Sequence, residues 1–155
     1  MTKRTSHEDA ACPIARSLDA IGDWWSLLIV RDALLGVSRF GEFQRNLGLA
    51  KNILSARLKA LVAHGVLEQT PTAGGGHQEY RLTAKGRALF PVLVALREWG
   101  EDHYFAPDEG RPCLVDREHG RPTKRLELRS EDGRLLGPAD TLLLNAGESP
   151  ALSRS

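Results

Sequence analysis

The order of signals across residues 39–83 constrains this chain more than any other feature. The stretch 40–47 reads as a short helix, and Gly48 and Leu49 follow it as a tight turn. A second helix signal spans 50–64 and stops at Gly65. Strand-like runs at 66–68 and 80–82 come next, joined by a connection that contains Gly74, Gly75 and Gly76. Within 50–64, Leu54, Leu58, Leu61 and Val62 fall at i, i+4, i+7 and i+8, the spacing of a buried helical stripe. Lys51, Asn52, Ser55 and Lys59 fall on another face and project outward. Helix, tight turn, helix and β-hairpin in that order predict a winged helix-turn-helix, which offers its second helix to the major groove of DNA.

Charge supports the same segment. The whole chain of 155 residues has a formal net charge of only +1, so bulk composition does not mark a nucleic-acid binder. Between residues 39 and 64, however, Arg39, Arg45, Lys51, Arg57 and Lys59 face the single acid Glu42, a local charge of +4. Positive charge gathered on one element is the electrostatic footprint of phosphate binding. No apolar run approaches a membrane span, and the N-terminal residues lack the apolar core of a secretory signal, which predicts a cytoplasmic protein without a membrane partner. Two cysteines, Cys12 and Cys113, are too few for a disulfide framework or a four-cysteine zinc site. A nucleophile elbow and a phosphate-cradling glycine loop between strand and helix are both missing, so no enzyme and no cofactor are expected.

The flanking segments complete the predicted architecture. Residues 1–10 are polar and read as a flexible N-terminus. Pro13 opens a short helix, 14–21, and Asp23 is an N-cap for a helix over 24–35. That helix is apolar nearly all round, which predicts burial on every side, as a central core helix or as one shared with a second subunit. Thr83 caps a long helix over 84–105 in which Pro91 predicts a kink or a locally broken hydrogen bond. Its apolar positions find no partner in a compact winged helix, which points to a second copy of the chain. Beyond Pro107, strand-like runs at 113–115, 125–129 and 141–144 predict a β-rich appendage. The fold class expected is mainly α with a small β component (α+β), a winged helix-turn-helix with a long C-terminal dimerisation helix. The divisions are 1–10, a DNA-binding and dimerisation domain over 11–106, the appendage over 107–147 and a disordered tail over 148–155.

Several runs resemble the HxlR-type helix-turn-helix regulators. They are Cys12-Pro13-Ile14, Leu18 to Trp25, Leu34-Leu35-Gly36 and Arg39 to Phe43, followed by Arg57-Leu58, Leu61, Gly65-Val66-Leu67 and Tyr80 to Gly86. The resemblance covers about residues 12–105. It implies a homodimeric bacterial transcription factor that binds an inverted repeat in double-stranded DNA. It also matches Cys12 to a cysteine through which some members sense electrophiles or oxidants. The chain departs from the family in having Ala50 where a serine N-cap is common, and His119-Gly120 and Asp132-Gly133 where longer members carry Cys-Gly pairs.

The candidate sites follow. Lys51, Asn52, Ser55 and Lys59 are expected to face the major groove, where Asn pairs with adenine and Lys reaches guanine acceptors; the competing reading is a solvated helix face. Arg57 lies nearer the edge of that face and is assigned to phosphate. Arg39, Arg81 and Lys85 fall at element ends, where phosphate contacts set register, and His77 lies at the wing tip. Cys12 stands at a helix start, where the dipole and unpaired amides favour a thiolate, with Arg16 one turn on. It reads either as a redox sensor or as a small packing residue. Trp24, Trp25 and Trp99 either line an effector pocket or pack core and dimer. Cys113, His119 and Asp132 match no strong metal pattern, and no metal is expected. The competing class to DNA binding is a winged helix used for protein contacts alone.

Overall fold

A computed structural model describes residues 6–148. Of the flexible N-terminus (1–10) and disordered tail (148–155) expected from the sequence, residues 1–5 and 149–155 lie outside the described residues. The chain divides into two compact units, one ending at Glu101 and one beginning at Asp102. In the first, the helices are α1 (Pro13–Ile21), α2 (Trp24–Leu34), α3 (Phe40–Leu47) and α4 (Lys51–Ala63). A hairpin of β1 (Leu67–Pro71) and β2 (Gln78–Leu82) follows, then α5 (Ala84–Arg87) and α6 (Phe90–Tyr104). This is a mainly helical fold with one small antiparallel sheet, the winged helix-turn-helix expected from the order of signals.

Each element has a local cause. Pro13 occupies the first turn of α1. The Asp23 carboxylate caps α2 by accepting from the Trp25 and Ser26 amides, both at 3.0 Å. Glu42 reaches back over the first turn of α3 to accept from the Arg39 amide at 3.1 Å. Gly48 ends α3 with φ of 64°, a left-handed conformation that glycine adopts without a Cβ penalty, and it makes the tight turn into α4. The hairpin register pairs Leu67 with Leu82 and Gln69 with Tyr80. Ser38 and Arg39 extend the sheet slightly, through a Tyr80 amide bond to the Ser38 carbonyl (2.8 Å) and an isolated bridge between Arg39 and Glu79.

The core is formed where α2, α3 and α4 meet the hairpin. Ile29, Val30, Phe43, Leu54, Leu58 and Leu61 are fully buried, and Val66, Leu67 and Leu82 close the side towards the wing. The stripe read from the sequence in α4 is therefore the core stripe, with Val62 packed beside it. At about 1.5–3 kcal/mol for each buried aliphatic or aromatic side chain, this cluster is the main stabilising term of the unit.

Three expectations are corrected. First, α2 is not buried on every side within one chain, so it is not a central core helix. Trp24 is 86% exposed and Leu35, at the C-cap, 79%, while the polar Ser26 and Asp32 are buried. Apolarity all round does not force burial all round when a helix has only one wall of partners. Second, the helix over 84–105 is two helices. Thr83 caps only α5, with its hydroxyl accepting from the Gly86 amide at 3.1 Å, and Ala88 and Leu89 form a turn before α6. Pro91 sits in the first turn of α6, where its missing N–H costs nothing, so the proline starts a helix instead of kinking one. Third, the second unit contains no strand among its described residues. The runs at 113–115, 125–129 and 141–144 form only isolated bridges, Val115 with Pro122 and Arg129 with Leu135, and a 3-10 turn spans Pro138–Asp140. Two turns organise the unit. In one, Asp116 accepts from the Glu118 and His119 amides before Gly120 at φ 64°; in the other, Ser130 and Arg134 close around Gly133 at φ 88°. Each turn satisfies its own backbone groups locally, which removes the drive to build a ladder.

Candidate nucleic-acid interface

The outward face of α4 is built by subtraction. Leu54, Leu58 and Leu61 commit one side of the helix to the core, so positions about 100° per residue away must face out. Lys51, Asn52, Ser55 and Lys59 are all exposed, and none forms an ion pair or side-chain hydrogen bond with another described residue. Ala56 is exposed between Asn52 and Lys59 at the centre of that stripe, and Ile53 on its flank is 41% exposed. Attention to charged and amide side chains alone missed Ala56; the i+4 step from Asn52 was the signal that could have found it. Ala50 caps the helix without a side-chain bond, so the first amides of α4 are uncapped at the same end as Lys51 and Asn52.

Arg39 and Arg81 converge on one carboxylate. Glu79 receives Arg81 at 3.1 Å and Arg39 at 3.7 Å, and both guanidinium groups stay mostly exposed. Two cations against one acid leave net positive charge at the base of the wing. His77 is exposed at the wing, where its carbonyl accepts from the Thr72 amide and hydroxyl. An open cleft of ≈ 380 Å³ lies between the first turn of α3 and the wing, with Arg39, Arg45, Gln69, His77 and Gln78 in its walls.

Two of the sequence-assigned phosphate ligands are placed elsewhere. The Lys85 ammonium donates to the His64 carbonyl at 2.7 Å, at the C-terminal end of α4, opposite the end that carries Lys51 and Asn52. There it satisfies a carbonyl left over at the helix end. Arg57 points at the N-cap of α2: its Nε lies 3.5 Å from Asp23 Oδ1, with the side chain only 37% exposed. Burial tends to raise the Asp23 pKa, but the Ser26 hydroxyl and amide, the Trp25 amide and the Arg57 charge outweigh it and hold the carboxyl below the ordinary carboxylate value.

Cys12 is exposed and is the N-cap residue of α1, without a side-chain capping bond. Arg16 does not turn to it, because its Nε donates to the Ala10 carbonyl. Trp24 is open to solvent, Trp25 packs against the core and Trp99 is 53% exposed. None of the three lines the cleft at the wing or the second cleft, ≈ 360 Å³, bounded by the end of α2, Tyr80 and Arg87. Among the described residues no cluster of three metal-ligating side chains occurs, and no helix is long and apolar enough to cross a membrane.

Comparison with known proteins gives a consistent picture. The HxlR-like helix-turn-helix family profile matches residues 20–108. An uncharacterised HTH-type transcriptional regulator of Mycobacterium tuberculosis is 43% identical over 111 residues, covering 71% of this chain and 70% of its own. The crystal structure of PA1607, described as a candidate transcription factor, is similar with a TM-score of 0.87 and 61% identity, covering 90% of this chain and 99% of its own. The redox regulator HypR in its reduced form is similar with a TM-score of 0.52 and 32% identity, covering 59% of this chain and 92% of its own.

Proposed function

The chain belongs to the HxlR-like helix-turn-helix family of transcriptional regulators, and from that premise we propose that it works as a homodimer reading an inverted-repeat operator. The outward face of α4 carries the reading: Lys51, Asn52, Ser55, Ala56 and Lys59 are exposed and uncommitted above a fully buried leucine stripe. In this reading Asn52 bonds adenine, Lys51 and Lys59 reach guanine acceptors or phosphates, and the Ala56 methyl meets a thymine methyl. Arg39, Arg81 and His77 hold the backbone beside the wing. The dimer forms through α6, whose Val92, Leu96 and Trp99 make an exposed apolar stripe while Leu93 packs against the core and Val94 is buried.

In vitro selection of random duplexes with the full chain tests this. The expected product is a two-fold repeat whose half-site centres lie about one helical turn, roughly 10 bp, apart. Asn52→Ala should then relax the preference at one position per half-site, by about 1–3 kcal/mol. A selection that returns no enriched motif would sink the DNA reading and leave the protein-contact module as the surviving alternative.

A thiol switch at Cys12 is a second reading. It is favoured by the exposure of that thiol at the start of α1 and by similarity to HypR, a redox regulator solved in reduced and oxidised forms. Oxidant should release wild-type protein from its operator and leave Cys12→Ser bound; equal responses exclude the switch.

A further inference from the structure

We infer that Arg57 is a positioning residue and not a phosphate ligand: its ion pair with Asp23 fixes the rotation of α4 about its own axis, and so the presentation of Asn52, Ala56 and Lys59. The inference rests on the DNA-reading role of α4 proposed above. At 100° per residue, Arg57 lies roughly 140° around the helix from Asn52 and roughly 100° from Ala56, on the flank next to the core stripe. Its Nε is 3.5 Å from Asp23 Oδ1, and the two side chains are 37% and 16% exposed. Asp23 is itself immobilised, because its carboxylate accepts the Trp25 and Ser26 amides and the Ser26 hydroxyl. α4 is therefore tied to a fixed point at the start of α2. Swinging Arg57 out to a phosphate would strip a half-buried carboxylate of its counter-charge, an unfavourable exchange.

A second observation explains why this tie bears on binding. Arg57 Nε is buried and has no hydrogen-bond partner, one of two such side-chain atoms among the described residues. The pair is an ion contact that stops short of a hydrogen bond. Turning α4 away from Asp23 would leave this enclosed nitrogen without its counter-charge as well, so the pair favours the orientation in which it forms.

The test compares wild type, Arg57→Gln, Asp23→Asn and the double variant as full chains. Asp23→Asn is the informative one, because asparagine still caps α2 while the charge is gone. Binding is measured across a salt series, on the duplex selected by wild type and on a scrambled duplex of equal length. Each single variant should lose about three- to tenfold in affinity for the selected duplex, with the scrambled duplex held to within about twofold. The salt slope should stay unchanged, and the double variant should be no weaker than the worse single. Loss of an acid from a protein that binds DNA would by charge alone leave binding unchanged or tighten it, so weakening in Asp23→Asn supports positioning. Three results overturn the inference. Equal losses on both duplexes with a slope lower by about one for Arg57→Gln make it a phosphate ligand. Equal losses with unchanged slope and lower melting temperature make the pair purely structural. Additive effects of the two substitutions remove the coupling. If wild type selects no duplex, the DNA reading and the positioning role fall together, while the melting temperatures of the four proteins still report whether the ion pair exists.

Discussion

Gly86 shows how much of the fold can hang on one absent side chain. A Cβ there would stand 2.2 Å from the Val66 carbonyl oxygen and 2.8 Å from Leu82 Cδ2. The first neighbour is backbone and cannot turn aside. Gly86→Ala should therefore destabilise the protein by about 1–3 kcal/mol or abolish folding, which chemical denaturation would read directly. Asp23 offers a test by pH. Its pKa is lowered from 3.8 in the folded chain, so its contribution is present above that unfolded value and is lost as pH falls through the lower folded one. Melting temperature measured from about pH 5 down to about pH 2 should fall more steeply for wild type than for Asp23→Asn. At this scale the sequence was readable where spacing alone decides a position: Leu54, Leu58 and Leu61 went to the core and Lys51, Asn52, Ser55 and Lys59 to the outside. It was not readable for Arg57 and Lys85, whose long side chains find Asp23 and the His64 carbonyl across the fold. Partners distant in sequence leave no local periodicity.

At the scale of elements, α4 starts without a side-chain cap, because Ala50 has nothing to offer its first amides. Ala50→Ser should supply an acceptor at the N-cap and raise stability by about 0.5–1 kcal/mol, read from the denaturation midpoint at unchanged slope. No gain would mean that those amides are already satisfied in solution. Turn chemistry made α3, Gly48 and α4 legible, since a left-handed glycine between two amphipathic runs has few other uses. The break between α5 and α6 was hidden because apolar spacing runs straight through it: Leu89 in the turn and Leu93 in α6 both pack on the core. The second unit misled in the opposite way. Alternation of Leu126 and Leu128 with charged residues has the period of a strand, yet the backbone here makes only an isolated bridge, Arg129 with Leu135 across the turn at Gly133, and no ladder grows from it. Period two is necessary for a strand, but without a partner edge it is not sufficient.

For the whole molecule, α6 carries two apolar faces and the unit up to Glu101 uses only one. Val92, Leu96 and Trp99 are 46%, 49% and 53% exposed, and on α1 Ile14 and Leu18 are 70% and 52% exposed. An exposed apolar stripe of that length on a lone chain is a site for association. Leu96→Glu should convert the proposed dimer to monomer in sedimentation with the melting curve of the remaining fold preserved, because burying an unpaired carboxylate in an interface is costly. A variant that still sediments as a dimer would put the interface elsewhere. Family membership was legible from ordered motifs, and so was an unpartnered apolar face on this helix; which of its leucines turn inward, as Leu93 does, and which outward, as Leu96 does, was not, since spacing alone does not separate them.

The join between α4 and the wing carries one more consequence. Thr83 donates its hydroxyl to the Gly65 carbonyl, its amide bonds the Val66 carbonyl at 3.2 Å, and Lys85 holds the His64 carbonyl. The last turn of α4 and the return strand of the hairpin are thus latched to each other from both sides of Gly65. They should open to solvent as one cooperative block. In native-state hydrogen exchange, the amides of Leu61, Val66 and Leu82 should converge on a single opening free energy as denaturant rises, while those of the 72–77 tip exchange far sooner. Groove reading by α4 and backbone gripping by the wing would then be gained and lost together.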